Sequence, residues 1–410
     1  MRCPVWPKLA WKPCGKQCGK HNQRNPMASP ARLIPNDFAH SILDLACHIQ
    51  SIPAPTFNET QRGNYFLEQF RALGLLDIER DSTGNVLARL PGTGSAKDGS
   101  GNARTRPLVI SAHMDTVHPL ETPLGVRWLD DRIIGPGVGD NALGLAAVLG
   151  LARLLKEKQE RLPGDLWLVI NVGEEGLGDL RGIQAIVNRF GAGPLAYLVI
   201  EGMGLGTILH RGLGVERYRI TVQTPGGHSW VDYGRPSAIH ELCSLVTRLA
   251  ALPLPQHPCT SLNVGIMHGG TSINTIAARA WMELDLRSED SGTLARLVKQ
   301  VQINVQSLQQ PNVRVTMERI GRRLAGSLPP THPLVVLSRD VLSDLGLEAR
   351  LDIASTDANL PLRRGYPSVC VGITQGNHAH SPDEYILTEP VALGMAQIFL
   401  LVTRAWQRLG

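Results

Sequence analysis

The sequence predicts an α/β protein: a mostly parallel central sheet, interrupted by an inserted ferredoxin-like α+β unit. Three observations carry this reading. Short, nearly all-apolar runs at 108–112, 166–172, 196–200 and 368–373 alternate with helical patterns, as strands buried on both faces do. Residues 213–320 break that rhythm with the order β-α-β-β-α-β. At 410 residues the chain also exceeds what one hydrophobic core usually organises, so two domains are expected.

The first 28 residues stand apart. They hold six cations, no acid and three of the seven cysteines, Cys3, Cys14 and Cys18, but no apolar stretch of a signal peptide. They are expected to be a disordered extension, or the product of a start codon placed upstream of Met27. Cys14, Cys18 and His21 imitate a small zinc site only weakly. Without this segment the net charge of +5 falls to −1, so no nucleic-acid surface is expected. Helices are expected over 38–52 and 61–75, then a strand pair about the turn 81–85 and a surface loop over 92–105. No apolar run reaches the roughly 18–20 residues of a membrane helix, so no membrane partner is expected. Cys47, Cys243, Cys259 and Cys370 lie in apolar surroundings and read as reduced core thiols, which points to the cytoplasm.

In an open α/β sheet, ligands bind beyond the carboxyl ends of the strands, so the residues just after each apolar run matter most. After 108–112 come His113, Met114 and Asp115. After the turn Gly135-Pro136-Gly137-Val138-Gly139 comes Asp140, opening a helix over 143–157. After 166–172 come Gly173, Glu174, Glu175 and Gly176, and after 196–200 comes Glu201. After 368–373 comes a loop with His378, His380, Asp383 and Glu384. Any one of these alone is better read as a cap or surface group. Together they are a donor set.

Imidazole mixed with carboxylate selects zinc, with cobalt or manganese as substitutes. Two ions about 3.5–4 Å apart need a bridging carboxylate and about two further ligands each. Asp140 suits the bridge, with His113 and Glu201 on one ion and Glu175 and His380 on the other. His378 competes with His380 here, and local chemistry does not separate them. Asp115 is placed to accept the second N–H of His113. Glu174, beside a ligand, is free to act as general base on a metal-bridging water.

These residues resemble the superfamily of co-catalytic zinc aminoacyl hydrolases, which includes carboxypeptidase G, tripeptide aminopeptidase, acetylornithine deacetylase, succinyl-diaminopimelate desuccinylase and the aminoacylases. The resemblance spans about residues 35–405. It rests on His113-Met114-Asp115-Thr116-Val117, Gly139-Asp140-Asn141, Gly173-Glu174-Glu175-Gly176 and His380-Ser381-Pro382-Asp383-Glu384. In the family the last histidine stands four residues before the Glu, which implies His380 over His378. The resemblance also implies a zinc-exopeptidase-like catalytic domain over 29–212 and 321–410. It implies two zinc ions per subunit, a catalytic role for Asp115, a base role for Glu174, and a lid over 213–320 that pairs two chains in a homodimer.

Within that lid, Gly226-Gly227-His228-Ser229 matches a segment whose histidine reaches the neighbouring subunit's active site. The match implies that His228 stabilises the tetrahedral oxyanion. Asn274 and Arg287 look like contacts to a substrate carboxylate or carbonyl, and Asn359 like a pocket residue. Plainer roles compete: a surface loop for His228, a salt bridge to Asp285 for Arg287, a backbone-satisfying turn for Asn359. Glu201 matches the deacetylase branch, but Glu201-Gly202-Met203 lacks that branch's Glu-Pro-Thr continuation, so the subfamily stays open.

The expected function is metal-dependent hydrolysis of an amide bond in a small peptide or an N-acyl amino acid. Two rivals make different demands on the sequence. A catalytically inactive binding protein of the same fold predicts broken ligands, and none is missing. A two-metal esterase or phosphoesterase predicts extra Arg or Lys beside the ligands, and none adjoins the five motifs.

Overall fold

The computed structural model describes residues 33–94 and 105–410. The extension over 1–28 and positions 95–104 of the expected surface loop lie outside the described residues.

The main sheet runs in the order Leu76–Arg80, Val86–Leu90, Leu166–Asn171, Leu108–His113, Tyr197–Met203, Ser368–Thr374, Thr207–Gly212 and Gly326–Ser327, with Arg350–Ala354 paired to Thr207–Gly212. Its four central strands are parallel. Antiparallel neighbours close both flanks, Val86–Leu90 on one side and Thr207–Gly212 on the other. The period of two along a strand divides its side chains between two cores. Leu108, Ile110 and Ala112 join the main cluster, whereas Val109 joins a second one with Val169, Ile183 and Ile186. Both alternating sets are apolar, which is why the sequence shows runs rather than alternation. Each such buried Leu or Ile contributes about 1.5–3 kcal/mol.

Helices Asn36–Gln50, Leu143–Glu157, Pro333–Asp344 and Val391–Leu409 supply the main core, and Arg181–Phe190 covers the other face. Counted together, the turn Val138–Ala142 and the helix Leu143–Glu157 are long and apolar enough, by length and composition, to cross a membrane. Their most apolar window is 89% buried inside the protein, the mark of a core helix.

The inserted segment forms Gly214–Gln223, Ala238–Ala250, Thr260–Gly269, Arg279–Ser288, Ser291–Gln306 and Arg314–Arg323 in turn. Its four strands make an antiparallel sheet in the order Thr260–Gly269, Arg279–Ser288, Gly214–Gln223, Arg314–Arg323. Both helices pack over Ile220, Val222, Met282 and Leu286. The opposite face carries Arg217, Glu283, Asp285 and Arg287, the alternate positions of the same strands. The last strand runs past the expected boundary at 320 and brings Arg323 back to the main sheet. The thiols divide unevenly: Cys370 is buried and Cys47 half-buried, but Cys243 and Cys259 are exposed. Cys243 sits off the Ala238, Leu242, Leu245 and Leu249 stripe that its helix buries, so it is not the core thiol expected.

Candidate metal centre

Five segments converge at the carboxyl edge of the parallel strands. His113 Nε2 lies 3.1 Å from Asp140 Oδ1 and 3.5 Å from Glu201 Oε2. His380 Nε2 lies 3.1 Å from Asp140 Oδ2 and 3.1 Å from Glu175 Oε1. Two groups result, His113–Asp140–Glu201 and Asp140–Glu175–His380, each with its ligand atoms within 4.8 Å of one another. Asp140 belongs to both and turns a different oxygen to each. His378 lies elsewhere, its ring packed edge-on against Tyr385.

The electrostatics fit a cation. Burial pushes Glu175 and Glu201 up to about 7, and the charge of Asp140 adds to the rise. Hydrogen bonds to Asp140 and Glu175 raise His380 to about 10. Burial opposes charge on His113, but Glu201, Asp115 and Asp140 outweigh it and hold the imidazole well above its ordinary value. Three carboxylates thus compete for the protons of two imidazoles. An oxygen-and-nitrogen set this crowded with negative charge matches a pair of divalent ions.

The loops that present these groups are held by residues whose role the sequence does not announce. Asp140 caps no helix: the next helix begins at Leu143 with Ala142 as its N-cap, and Asp140 itself has φ −116° and ψ 87°. Gly137, at φ 73°, makes the turn that sets it there. The carboxylate of Glu384 holds the turn, accepting N–H groups of Gly137, Gly139 and Asp140 at 3.2, 2.6 and 2.8 Å. Burial, then Asp140, pushes Glu384 up to about 7.

Asp115 does more than expected. His113 Nδ1 meets its backbone carbonyl at 3.1 Å and its carboxylate at 3.5 Å. The same carboxylate accepts the backbone N–H of Glu174 and of Glu175, both at 2.9 Å, and the hydroxyl of Thr56 at 2.9 Å. It therefore fixes the loop that carries one ligand and the candidate base.

The remaining candidates fare differently. His228 and Asn274 are exposed and sit together on a small ribbon, with Ser229 N donating to Asn274 O at 3.0 Å. Among the described residues, no hydrogen bond or ion pair joins either to the five metal candidates. Arg287 forks onto Asp285, two residues away on the same strand face, at 2.9 and 3.2 Å. Asn359 is buried, and its amide donates to Leu213 O at 2.7 Å and Leu324 O at 3.5 Å. Those are the two points where the chain enters and leaves the inserted unit, so the structure gives Asn359 backbone partners rather than a pocket position.

Arg323 is the residue the sequence reading missed. Buried, it donates to Glu174 Oε1 at 2.8 Å, to the Glu174 carbonyl and to Ser355 Oγ at 3.0 Å. It supplies a cation beside the centre although none adjoins the motifs in sequence. A charged residue ending a strand with an Arg-Arg pair was the available signal, and it says nothing about which side chain turns inward.

Comparison with known proteins agrees with this architecture. The family model for Peptidase family M20/M25/M40 matches residues 109–404. The chain is 24% identical over 356 residues to a succinyl-diaminopimelate desuccinylase of Corynebacterium glutamicum, covering 85% of this chain and 92% of that one. It is 26% identical over 289 residues to the cytosol non-specific dipeptidase of Escherichia coli, covering 63% and 56%. In fold it is similar to a tripeptidase from Staphylococcus aureus, with a TM-score of 0.73 at 23% identity over 90% of this chain and 99% of that one. It is a hydrolase acting on carbon–nitrogen bonds, and the chain belongs to Peptidase family M20/M25/M40.

Proposed function

We propose that this chain hydrolyses an amide bond in a small peptide or an N-acyl amino acid as a homodimer, with two zinc ions per subunit. The observation that carries the reading is the pair of donor groups sharing Asp140. His113, Asp140, Glu175, Glu201 and His380 are the proposed ligands. A dipeptidase and a deacylating enzyme among the relatives support both substrate types.

Two divalent ions at these positions supply Lewis acidity toward the amide carbonyl and lower the pKa of water. Glu174 takes a proton from the attacking water and returns it to the leaving amine. Arg323 fixes one oxygen of Glu174, and Asp115 fixes the backbone N–H groups of Glu174 and Glu175. His228 of the second copy donates to the developing oxyanion. Its Nδ1 accepts backbone N–H groups of Trp230 and Val231 at 3.2 and 3.4 Å, which leaves the proton on Nε2, the donor that this role needs. The homodimer is supported by the edge strand Thr260–Gly269, paired on one side only and exposing Ile266 and Met267. The free thiols of Cys47, Cys243 and Cys370 support a reducing compartment such as the cytoplasm.

The test is a zinc-reconstituted hydrolysis screen across di- and tripeptides, N-acetyl and N-succinyl amino acids, and C-terminal glutamate amides. Chelator-sensitive cleavage of one class, with about two ions bound per chain, is the expected result. Fewer than about one ion per chain and no cleavage of any class sinks the reading.

A further inference from the structure

The turn that carries His228 and the loop facing it hold the four most exposed large apolar side chains of the described chain. Trp230, Val231 and Tyr233 are 85%, 77% and 90% exposed, and Ile273, on the facing loop, is fully exposed. They form one ridge. Gly227 and His228 pair with Ile276 and Thr275, and Tyr233 N donates to Trp230 O at 3.4 Å. The charges beside the ridge are satisfied locally: Asp232 holds Arg235 at 2.9 Å and the backbone N–H of His228 at 2.8 Å. Apolar surface left in water forfeits the free energy of burial. Contiguous patches of this kind mark contact surfaces.

A second set of exposed apolar side chains, Phe57, Val117 and Leu177, stands on the loops that rim the metal centre. Phe57 comes after Thr56, which donates to Asp115; Val117 lies two residues beyond Asp115; Leu177 lies two residues beyond Glu175. We propose that the ridge of one subunit closes over this rim of its partner, where Trp230 and Tyr233 wall in an apolar side chain or acyl group beside the scissile amide. The inference rests on the homodimer proposed above and adds the substrate class: molecules with a bulky apolar group next to the bond that breaks. Its geometry is short-range. Trp230 is two residues from His228, so their Cα atoms lie within about 7 Å of each other, and a turn that brings the imidazole to the reacting carbonyl brings the indole into the same neighbourhood.

Matched pairs of substrates test it on the zinc-loaded full chain: N-acetyl-L-phenylalanine against N-acetylglycine, and Leu-Leu against Gly-Gly. Trp230→Ala/Tyr233→Ala lowers the bulky-to-small ratio of kcat/KM by tenfold or more, chiefly through KM. A ratio within about twofold of the unsubstituted chain, or a variant that falls apart into monomers, overturns the proposal; the latter makes the ridge a dimer anchor only. Mixing the variant with Glu174→Ala chains assigns the subunit. In the mixed dimer the intact Glu174 faces an intact ridge from its partner, so the original ratio returns; a ratio that stays low places the ridge in its own chain's site and overturns the proposal.

A readout free of activity separates this inference from the hydrolase reading. Ile273→Cys chains mixed with Leu177→Cys chains form a covalent heterodimer on mild oxidation, beyond what either variant forms alone. No such cross-link overturns the ridge-on-rim contact even where hydrolysis is found. A cross-link without hydrolysis of any amide upholds the contact and sinks the reaction.

Discussion

At the carboxyl edge of the main sheet, each metal candidate lies within 3.5 Å of another, and each stands on a strand end or a loop fastened by Asp115 or Glu384. On the inserted unit, Asn274 and His228 point into solvent and Arg287 holds Asp285. The first region is complete within one chain; the second is preorganised but lacks its target. His228 shows the difference well, since its Nδ1 accepts two backbone N–H groups of its own turn while its Nε2 makes no hydrogen bond among the described residues. In the proposed homodimer, the second region of one copy serves the first region of the other.

The largest effect is expected where the first region is most interdependent. Asp140→Ala removes a donor from both groups at once, so bound metal falls from about two ions to below one per chain and hydrolysis falls by at least about 10³-fold. Metal analysis alongside turnover checks this, and a variant that keeps both ions breaks the bridging assignment. Glu174→Ala should spare the metal and cost about 10²–10⁴-fold in kcat, the range of a lost general base. Wild-type turnover in that variant would end the base assignment.

His228→Ala sharpens the contrast between the regions. Loss of one oxyanion donor costs about 10²–10³-fold in kcat, with metal content unmoved. Mixing His228→Ala with Glu174→Ala chains then restores hydrolysis, because both defects fall in one site of the mixed dimer and the other site keeps Glu174 and His228 intact. Failure of two inactive chains to complement each other would return His228 to its own subunit.

How far the sequence reveals this arrangement depends on the range of the contact involved. Strand ends are readable because apolar runs mark buried parallel strands and each ligand comes directly after one. The lid's order of strands and helices is readable for the same reason, from periodicity. Glu384 is visible as a motif but not as the clamp of the glycine turn, since it acts across 244 residues on the N–H of Asp140. Arg323 escapes because adjacent strand residues face opposite ways, and nothing local says which of Arg322 and Arg323 turns inward. Arg287 has two readings, and in the structure its guanidinium rests on Asp285 of the same face.

The metal-free protein offers a pH test of the crowded region. Burial raises Glu175, Glu201 and Glu384 to about 7 from an ordinary 4.5. Their protonated forms therefore stabilise the fold below about pH 4.5, and that contribution is lost as pH rises through about 7. His380, raised from 6.5 to about 10, begins to lose its contribution above about pH 6.5 and adds to the fall, whereas Asp115, held low, contributes throughout the window. Between pH 5 and 8 the Tm of chelated protein should fall, on the order of 5 °C. Added zinc takes over the role of the protons and flattens the slope. A Tm that rises over the same window without metal would mean that the carboxylates are not crowded as described.

Asn359 joins the two regions and carries the smallest expected effect. Its amide is the only side-chain donor shared by Leu213 and Leu324 among the described hydrogen bonds, and its Oδ1 accepts Thr356 N at 3.1 Å. Asn359→Ala leaves those part-buried backbone groups short of a partner, at a cost of about 1 kcal/mol. The Tm should drop slightly while kcat/KM falls less than about threefold, because the residue fastens the crossover and touches no reacting group. The opposite pattern, an unchanged Tm with KM raised tenfold, would make Asn359 a substrate contact after all. It would also mean that the inserted unit is placed over the metal centre by something other than this crossover clamp.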